Sequence, residues 1–91
     1  MPQQQSAKMT TKVYKEAHEH SRNNRKELTR GGVCGCFHCL AVFPPTEILR
    51  WLHEGEGTAL CPYCGIDSVI GEGAGVPITL EFLAEMKKEW F

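Results

Sequence analysis

A chain of 91 residues, 42% hydrophobic and with a formal net charge of −1, has the length of one small domain. It contains no apolar run approaching the roughly 18 residues of a membrane-spanning helix, and it shows no secretory leader. These absences point to a cytoplasmic protein without membrane contact, in a compartment where thiols stay reduced, so its five cysteines are poorly read as a disulfide framework.

The near-neutral total conceals a division. Residues 1–30 carry seven Lys/Arg against three Glu, whereas residues 31–91 carry three Lys/Arg against eight Asp/Glu. The basic arm is a candidate nucleic-acid contact. The reading preferred here is a solvated helix lying against its own acidic body, because Tyr14 is its single aromatic and single-strand binders need stacking platforms.

In chain order, residues 1–9, with three consecutive Gln, have nothing worth burying and are expected to form a disordered tail. Residues 10–30 are expected to form one helix, capped by Thr10 or Thr11, ending near 28–29 and stopped by Gly31-Gly32. It is polar nearly all round. Val13, Tyr14, Ala17 and Leu28 make only a thin stripe, so the arm should be peripheral and dispensable for folding of the remainder.

Residues 31–91 read as a metal-stapled body. Leu40-Ala41-Val42-Phe43 is an extended segment broken by Pro44-Pro45. Thr46 is positioned to cap a short middle helix over 47–53 that Gly55 stops, with Ile48, Trp51 and Leu52 on its inner face. Residues 66–70 read as a strand and 71–75 as a turn. Thr79 is a natural N-cap for an amphipathic C-terminal helix, stapled by Ile78 and Leu83, whose Leu80, Phe82, Leu83, Met86 and Trp90 should close the core of a monomer; a dimer contact through Trp90 and Phe91 is the alternative.

The chemistry is concentrated in the cysteines. Cys36-Phe37-His38-Cys39 and Cys61-Pro62-Tyr63-Cys64 are two C-x2-C turns separated by 21 residues. That spacing lets two pairs of thiolates converge on one cation, so Cys36, Cys39, Cys61 and Cys64 are the expected ligands of a structural Zn2+. Iron is the alternative for a four-sulfur site. Cys61-Pro62-Tyr63-Cys64-Gly65 resembles a metal-binding turn of the rubredoxins, but Cys39 is followed by Leu40 where that family has Gly. Gly65 should supply the positive φ such a turn needs after its second Cys. Cys34 reads as a small buried hydrophobe, and His38, inside the first turn, as an exposed residue rather than a ligand. A thioredoxin-like redox site would want a βαβ context that the sequence lacks.

The expected architecture is therefore small α+β: a zinc-ribbon or rubredoxin-like body with a polar N-terminal helix, a short middle helix and an amphipathic C-terminal helix. Four closed thiolates leave no open metal position for a substrate, and the chain has no Gly-rich phosphate loop, nucleophile elbow or H-E-x-x-H. These features favour a protein-interaction module over an enzyme. A nucleic-acid-binding accessory protein is the second reading. A small enzyme, the third, would require His20, Asp67, Ser68 and Cys34 to converge on one concave site.

Several stretches resemble a family of small bacterial cytoplasmic proteins. They are Cys34-Gly35-Cys36-Phe37-His38-Cys39, the step Phe43-Pro44-Pro45-Thr46-Glu47-Ile48 into Trp51, the block from Thr58 through Cys61-Pro62-Tyr63-Cys64-Gly65-Ile66-Asp67-Ser68-Val69-Ile70 to Gly71, and the ending Phe82-Leu83, Met86, Trp90-Phe91. His20-Ser21 and Arg25-Lys26-Glu27 extend the similarity into the arm. The resemblance implies a single-domain, cytoplasmic, zinc-ribbon-like protein and no particular activity.

Overall fold

A computed structural model describes residues 11–53 and 55–91. Three helices and two small antiparallel sheets follow in the order α1 (Thr11–Glu19), α2 (Arg25–Thr29), β1 (Cys34–Cys36), β2 (Val42–Phe43), β3 (Trp51–Leu52), β4 (Thr58–Ala59), β5 (Val69–Gly71) and α3 (Leu80–Trp90). The expected tail and the Thr10 cap lie outside the described residues.

The larger sheet has the order β2-β1-β5. Cys34 lies opposite both Phe43 and Gly71, and Cys36 lies opposite Val69. Because side chains alternate across a strand, this one three-residue strand serves two cores. Cys34, Cys36 and Val69 face a cluster with Leu28, Phe43, Ile48, Ala59 and Cys61. Gly35 and its partner Ile70 face the other way, toward Tyr14, Ala17, Phe37, Phe82, Leu83 and Met86. Gly35 is required there: a Cβ would come within 2.7 Å of Leu83 Cδ1 and 2.9 Å of Ile78 Cγ2. Its absence lets α3 lie directly on the sheet.

The helix expected over residues 10–30 is instead two helices meeting at a sharp corner. Asn23 takes φ 53°, a left-handed value that Asn tolerates better than most residues. The corner is held by side-chain amides. Asn24, 2% exposed, donates through Nδ2 to the carbonyls of His20 and Val69, both at 2.9 Å, and accepts through Oδ1 from the Ala59 N–H at 3.1 Å. Asn23 accepts from the Glu56 N–H at 2.6 Å, and its own N–H donates to Thr58 Oγ1 at 2.7 Å. Breaking the helix trades a few intrahelical bonds for ties to both sheets.

This changes the standing of the whole arm. Tyr14, Ala17 and Leu28 are all buried, Arg25 lies 5.0 Å over the Trp51 ring, and Lys26 Nζ is 2.9 Å from Glu56 Oε2. The thin apolar stripe is sufficient because the corner turns α1 onto α3 and α2 onto the cysteine side of the sheet. The arm is thus part of the core, contrary to the peripheral, dispensable helix that composition suggests.

The expected middle helix over 47–53 is also replaced. A single 3-10 turn spans Pro45–Glu47, and Ile48 leaves it in an extended conformation. Trp51 and Leu52 then pair with Ala59 and Thr58 in a two-stranded hairpin. A seven-residue helix barely offsets its nucleation cost, while the hairpin satisfies the same backbone groups and still buries Ile48. The extended segment after the first cysteine turn and the strand before residue 71 are shorter than expected, reduced to Val42–Phe43 and Val69–Gly71.

The C-terminal helix forms as its caps dictate. Thr79 Oγ1 accepts the Phe82 N–H at 3.1 Å, and Phe82, Leu83 and Met86 are buried while Leu80 is exposed. Trp90 closes the seam with α1 rather than a core site. Its indole N–H donates to the Tyr14 carbonyl at 3.3 Å, its ring lies 4.0 Å from that of His18, and it remains 37% exposed.

Two outcomes are expected from this packing. Asn24→Ala strands the buried Val69 carbonyl and Ala59 N–H and the part-buried His20 carbonyl, at about 1–3 kcal/mol per buried group, so denaturant unfolding should show a loss of about 3 kcal/mol or more, and deletion of residues 1–30 should unfold the chain. Trp90→Ala should cost only about 1–2 kcal/mol, less than a fully buried aromatic, with a melting temperature independent of protein concentration if the residue closes a monomer.

Candidate metal centre

The two C-x2-C segments fold into the same turn twice. In the first, the Leu40 N–H donates to the Cys36 carbonyl at 2.8 Å and the Cys36 N–H to the Ala41 carbonyl at 3.0 Å. In the second, the Gly65 N–H donates to the Cys61 carbonyl at 2.9 Å and the Cys61 N–H to the Ile66 carbonyl at 3.0 Å. Both turns need a left-handed residue after their second cysteine. Gly65 meets it at φ 78°, as expected, and Leu40 adopts φ 66° despite its Cβ. The missing glycine of the first turn therefore changes its strain and leaves its shape intact.

Sheet pairing brings the turns together. The first follows β1 and the second lies between β4 and β5, whose partner is β1. The four sulfurs of Cys36, Cys39, Cys61 and Cys64 lie within 4.8 Å of one another. The shortest cross-turn separations are 3.6 Å for Cys36–Cys64 and 3.7 Å for Cys39–Cys61. A tetrahedron with metal–sulfur bonds of about 2.3 Å has edges of about 3.8 Å, so this donor set could hold a single metal ion. No two of the five cysteines are joined. Cys36 and Cys61 are buried, Cys64 is half-buried and Cys39 is exposed, placing the cluster at the edge of the core with one sulfur at the surface.

The turns point N–H groups at the sulfurs. His38 N–H and Cys39 N–H approach Cys36 Sγ at 3.3 and 3.5 Å, and Tyr63 N–H approaches Cys61 Sγ at 3.4 Å. Ser68, 1% exposed, adds its hydroxyl at 3.0 Å from Cys36 Sγ, while its carbonyl accepts the Phe37 N–H at 3.0 Å.

These contacts set unequal thiol acidities. Burial opposes ionisation of Cys36, yet the Ser68 hydroxyl and the N–H groups of Cys39 and His38 outweigh it and hold this thiol below its ordinary value. Burial dominates at Cys61, whose thiol is raised, and at Cys64, which is pushed up to about 12. Cys36 is thus the most readily ionised of these three thiols, and burial opposes ionisation of Cys61 and Cys64 unless a positive charge compensates it.

The remaining candidates separate. Cys34 is buried beside Glu72, and burial, with that carboxylate, pushes its thiol up to about 11, the condition of an inert thiol. His38 does not join the sulfur cluster. Its ring meets Phe91 edge-on with centroids 4.7 Å apart, and it is half-buried rather than exposed. His20 Nδ1 sits 2.9 Å from both carboxylate oxygens of Glu27, Ser68 belongs to Cys36, and Asp67 is exposed. The structure does not bring His20, Asp67, Ser68 and Cys34 into one concave site.

Ser68 enters the sequence reading only as a member of a converging enzyme site, and its place beside the Cys36 sulfur is missed there, since a serine near a strand is ordinary. Its position four residues beyond Cys64 and opposite the turn at Phe37 is the signal that could have marked it. Ser68→Ala should weaken metal binding about 10-fold or more, measured by competition with a chromophoric chelator, while leaving the far-ultraviolet circular dichroism of the metal-loaded protein unchanged. No protein-family model, curated protein or solved structure matches this chain.

Proposed function

We propose that the protein is a small zinc-binding interaction module in which Cys36, Cys39, Cys61 and Cys64 hold one structural Zn2+ in a zinc-ribbon-like body. The observation that carries this reading is the gathering of the four sulfurs within 4.8 Å of one another, with two separations across the turns of 3.6 and 3.7 Å. Four thiolates with N–H and O–H donors to their sulfurs suit Zn2+, and the closed donor set assigns it to folding rather than catalysis. Such binding contributes on the order of 10 kcal/mol at neutral pH, comparable to the entire stability of a small domain. Iron is the competing occupant and would declare itself by visible absorption.

The interaction role draws support from what surrounds the second turn. Leu49 and Tyr63 are 84% and 62% exposed, and Leu49, Arg50, Leu60, Pro62 and Tyr63 line a groove of about 370 Å3 beside Cys61 and Cys64. Apolar side chains mounted on a metal-fixed turn form a preorganised contact surface, which lowers the entropic cost of association. The nucleic-acid reading loses ground in comparison. Arg25 is occupied by Trp51 and Lys26 by Glu56, which reduces the positive charge free for phosphates. Among the described residues no helix is long and apolar enough to cross a membrane. A cytoplasmic bacterial protein of the family it resembles is the setting this reading assumes.

Reduced, unchelated protein should contain about one zinc per chain by elemental analysis, and Cys61→Ser should abolish retention. Stoichiometry near zero overturns the assignment. Metal-free Cys61 and Cys64 hold their protons at neutral pH because both thiols are raised, and binding must displace them. Affinity should therefore rise with pH, by about 10-fold per displaced proton per pH unit, and fall as pH is lowered from 8 to about 5. For the interaction role, cross-linking in the native host should yield a protein partner that is lost with Leu49→Asp at unchanged zinc content. Salt-sensitive binding to mixed DNA and RNA, with no such partner, would favour the alternative instead.

A further inference from the structure

The two cysteine turns share a hydrogen-bond pattern and differ in the residue that closes them. Gly65 closes the second at φ 78°, exposed, and a Cβ placed on it would meet nothing within 4 Å beyond its chain neighbours. Leu40 closes the first at φ 66°, where the Cβ of an L residue crowds the carbonyl oxygen that follows. Such a conformation persists only where the surroundings impose it. Here they lie on the helix side. Leu40 is half-buried and packs against the cluster that contains Tyr14, Phe37, Phe82 and Met86, whereas its neighbour Ala41 packs against the cysteine-side cluster. A side-chain contact thus holds the first turn closed against the preference of its own backbone, and the second turn bears no such load.

The sulfurs divide in the same way. Cys36 and Cys61 lie within the cysteine-side cluster and Cys64 packs against it, while Cys39 does neither and is exposed. Backbone N–H groups are directed at Cys36 and Cys61. Among the described residues no N–H or hydroxyl is directed at Cys39, whose sulfur has only that of Cys61 beside it at 3.7 Å. Hydrogen bonds and packing around a ligand are what hold it in place on a metal. Three donors have that support, and the fourth hangs on the strained turn, one residue before the strain itself.

We propose that the first cysteine turn is the opening half of the metal centre: Cys39 detaches first, Leu40 leaves the left-handed region as it does so, and a competing ligand gains access at that corner. The inference rests on the reading of Cys36, Cys39, Cys61 and Cys64 as the donors of one metal ion. It makes the centre a staple on three sulfurs with a gate on the fourth, and the packing of the helices on Leu40 sets how often the gate opens.

The test starts from the full chain at measured zinc content. With limiting N-ethylmaleimide, peptide mapping by mass spectrometry should find Cys39 modified first, with zinc released as it reacts; first modification at any other cysteine overturns the proposal. The rate of zinc transfer to a chromophoric chelator then separates the two forces at residue 40. Leu40→Ala keeps the strain and loses the packing, so transfer should be faster than in the native chain. Leu40→Gly loses the same packing and relieves the strain, so its transfer should be slower than that of Leu40→Ala by about 5-fold, the left-handed penalty less the extra chain freedom of Gly in the open turn. Conversely, Gly65→Ala places the same strain on the second turn without a clash and should bring Cys64 into reaction alongside Cys39. A Leu40→Ala protein no faster than the native chain, equal rates for the Ala and Gly variants, or continued protection of Cys64 in Gly65→Ala would each overturn the inference. Zinc content keeps the two readings apart. Protein that retains no zinc defeats the metal assignment and this inference together, whereas one zinc per chain with Cys39 no more reactive than the other three ligands defeats this inference alone.

Discussion

The amide of Asn24 is the point through which the elements of this protein are mutually fixed. It reaches the turn that follows α1 through the His20 carbonyl, the larger sheet through Val69 and the smaller one through Ala59. An amide offers two donors and two acceptor lone pairs, and three of those four capacities are used here in a site almost sealed from water. Buried polar groups satisfied this fully specify one arrangement, because every alternative leaves some of them unpaired at a cost of about 1–3 kcal/mol each. The cysteine turns can meet only because β5 and the β3–β4 hairpin are held at the correct distance, and that spacing is set at Asn24.

A second constraint is the thinness of the sheet. With strands of two or three residues, the backbone ladder alone is too short to be stable, and stability must come from what lies on either side. One face is closed by helices resting on Gly35, the other by the cysteine cluster. Neither core is large. Each depends on the other for the central strand it shares, so weakening the helical side should be felt at the sulfurs and disruption of the cysteine cluster at the helices.

The sequence makes some of this plain and hides the rest for identifiable reasons. The cysteine spacing states the convergence of Cys36, Cys39, Cys61 and Cys64 because C-x2-C is a local geometry, set within each turn. The Thr79 cap and the apolar face of α3 are local in the same sense. The middle segment misleads because Ile48, Trp51 and Leu52 fit a helical period and also a hairpin whose partner, Thr58-Ala59, lies beyond a turn. The N-terminal arm misleads more deeply. Counting apolar residues treats Asn23 and Asn24 as solvated polar groups, and nothing in their own neighbourhood reveals that their partners lie more than thirty positions away. Ser68 is obscure for the same reason, being a polar residue defined by a non-local partner.

The overlap of β1 with the first cysteine turn has a further bearing on how the chain finds its fold. Cys36 is at once the last residue of the strand, paired with Val69, and the first sulfur of the cluster. In a three-residue strand a slip of one position costs little in backbone bonding, and such strands are prone to misalignment. A one-residue slip here would swing Cys36 to the helix face and turn Gly35 toward the other sulfurs, leaving three donors. If a cation that demands four donors is bound there, it would reject that alignment and act as a gauge of strand pairing during folding.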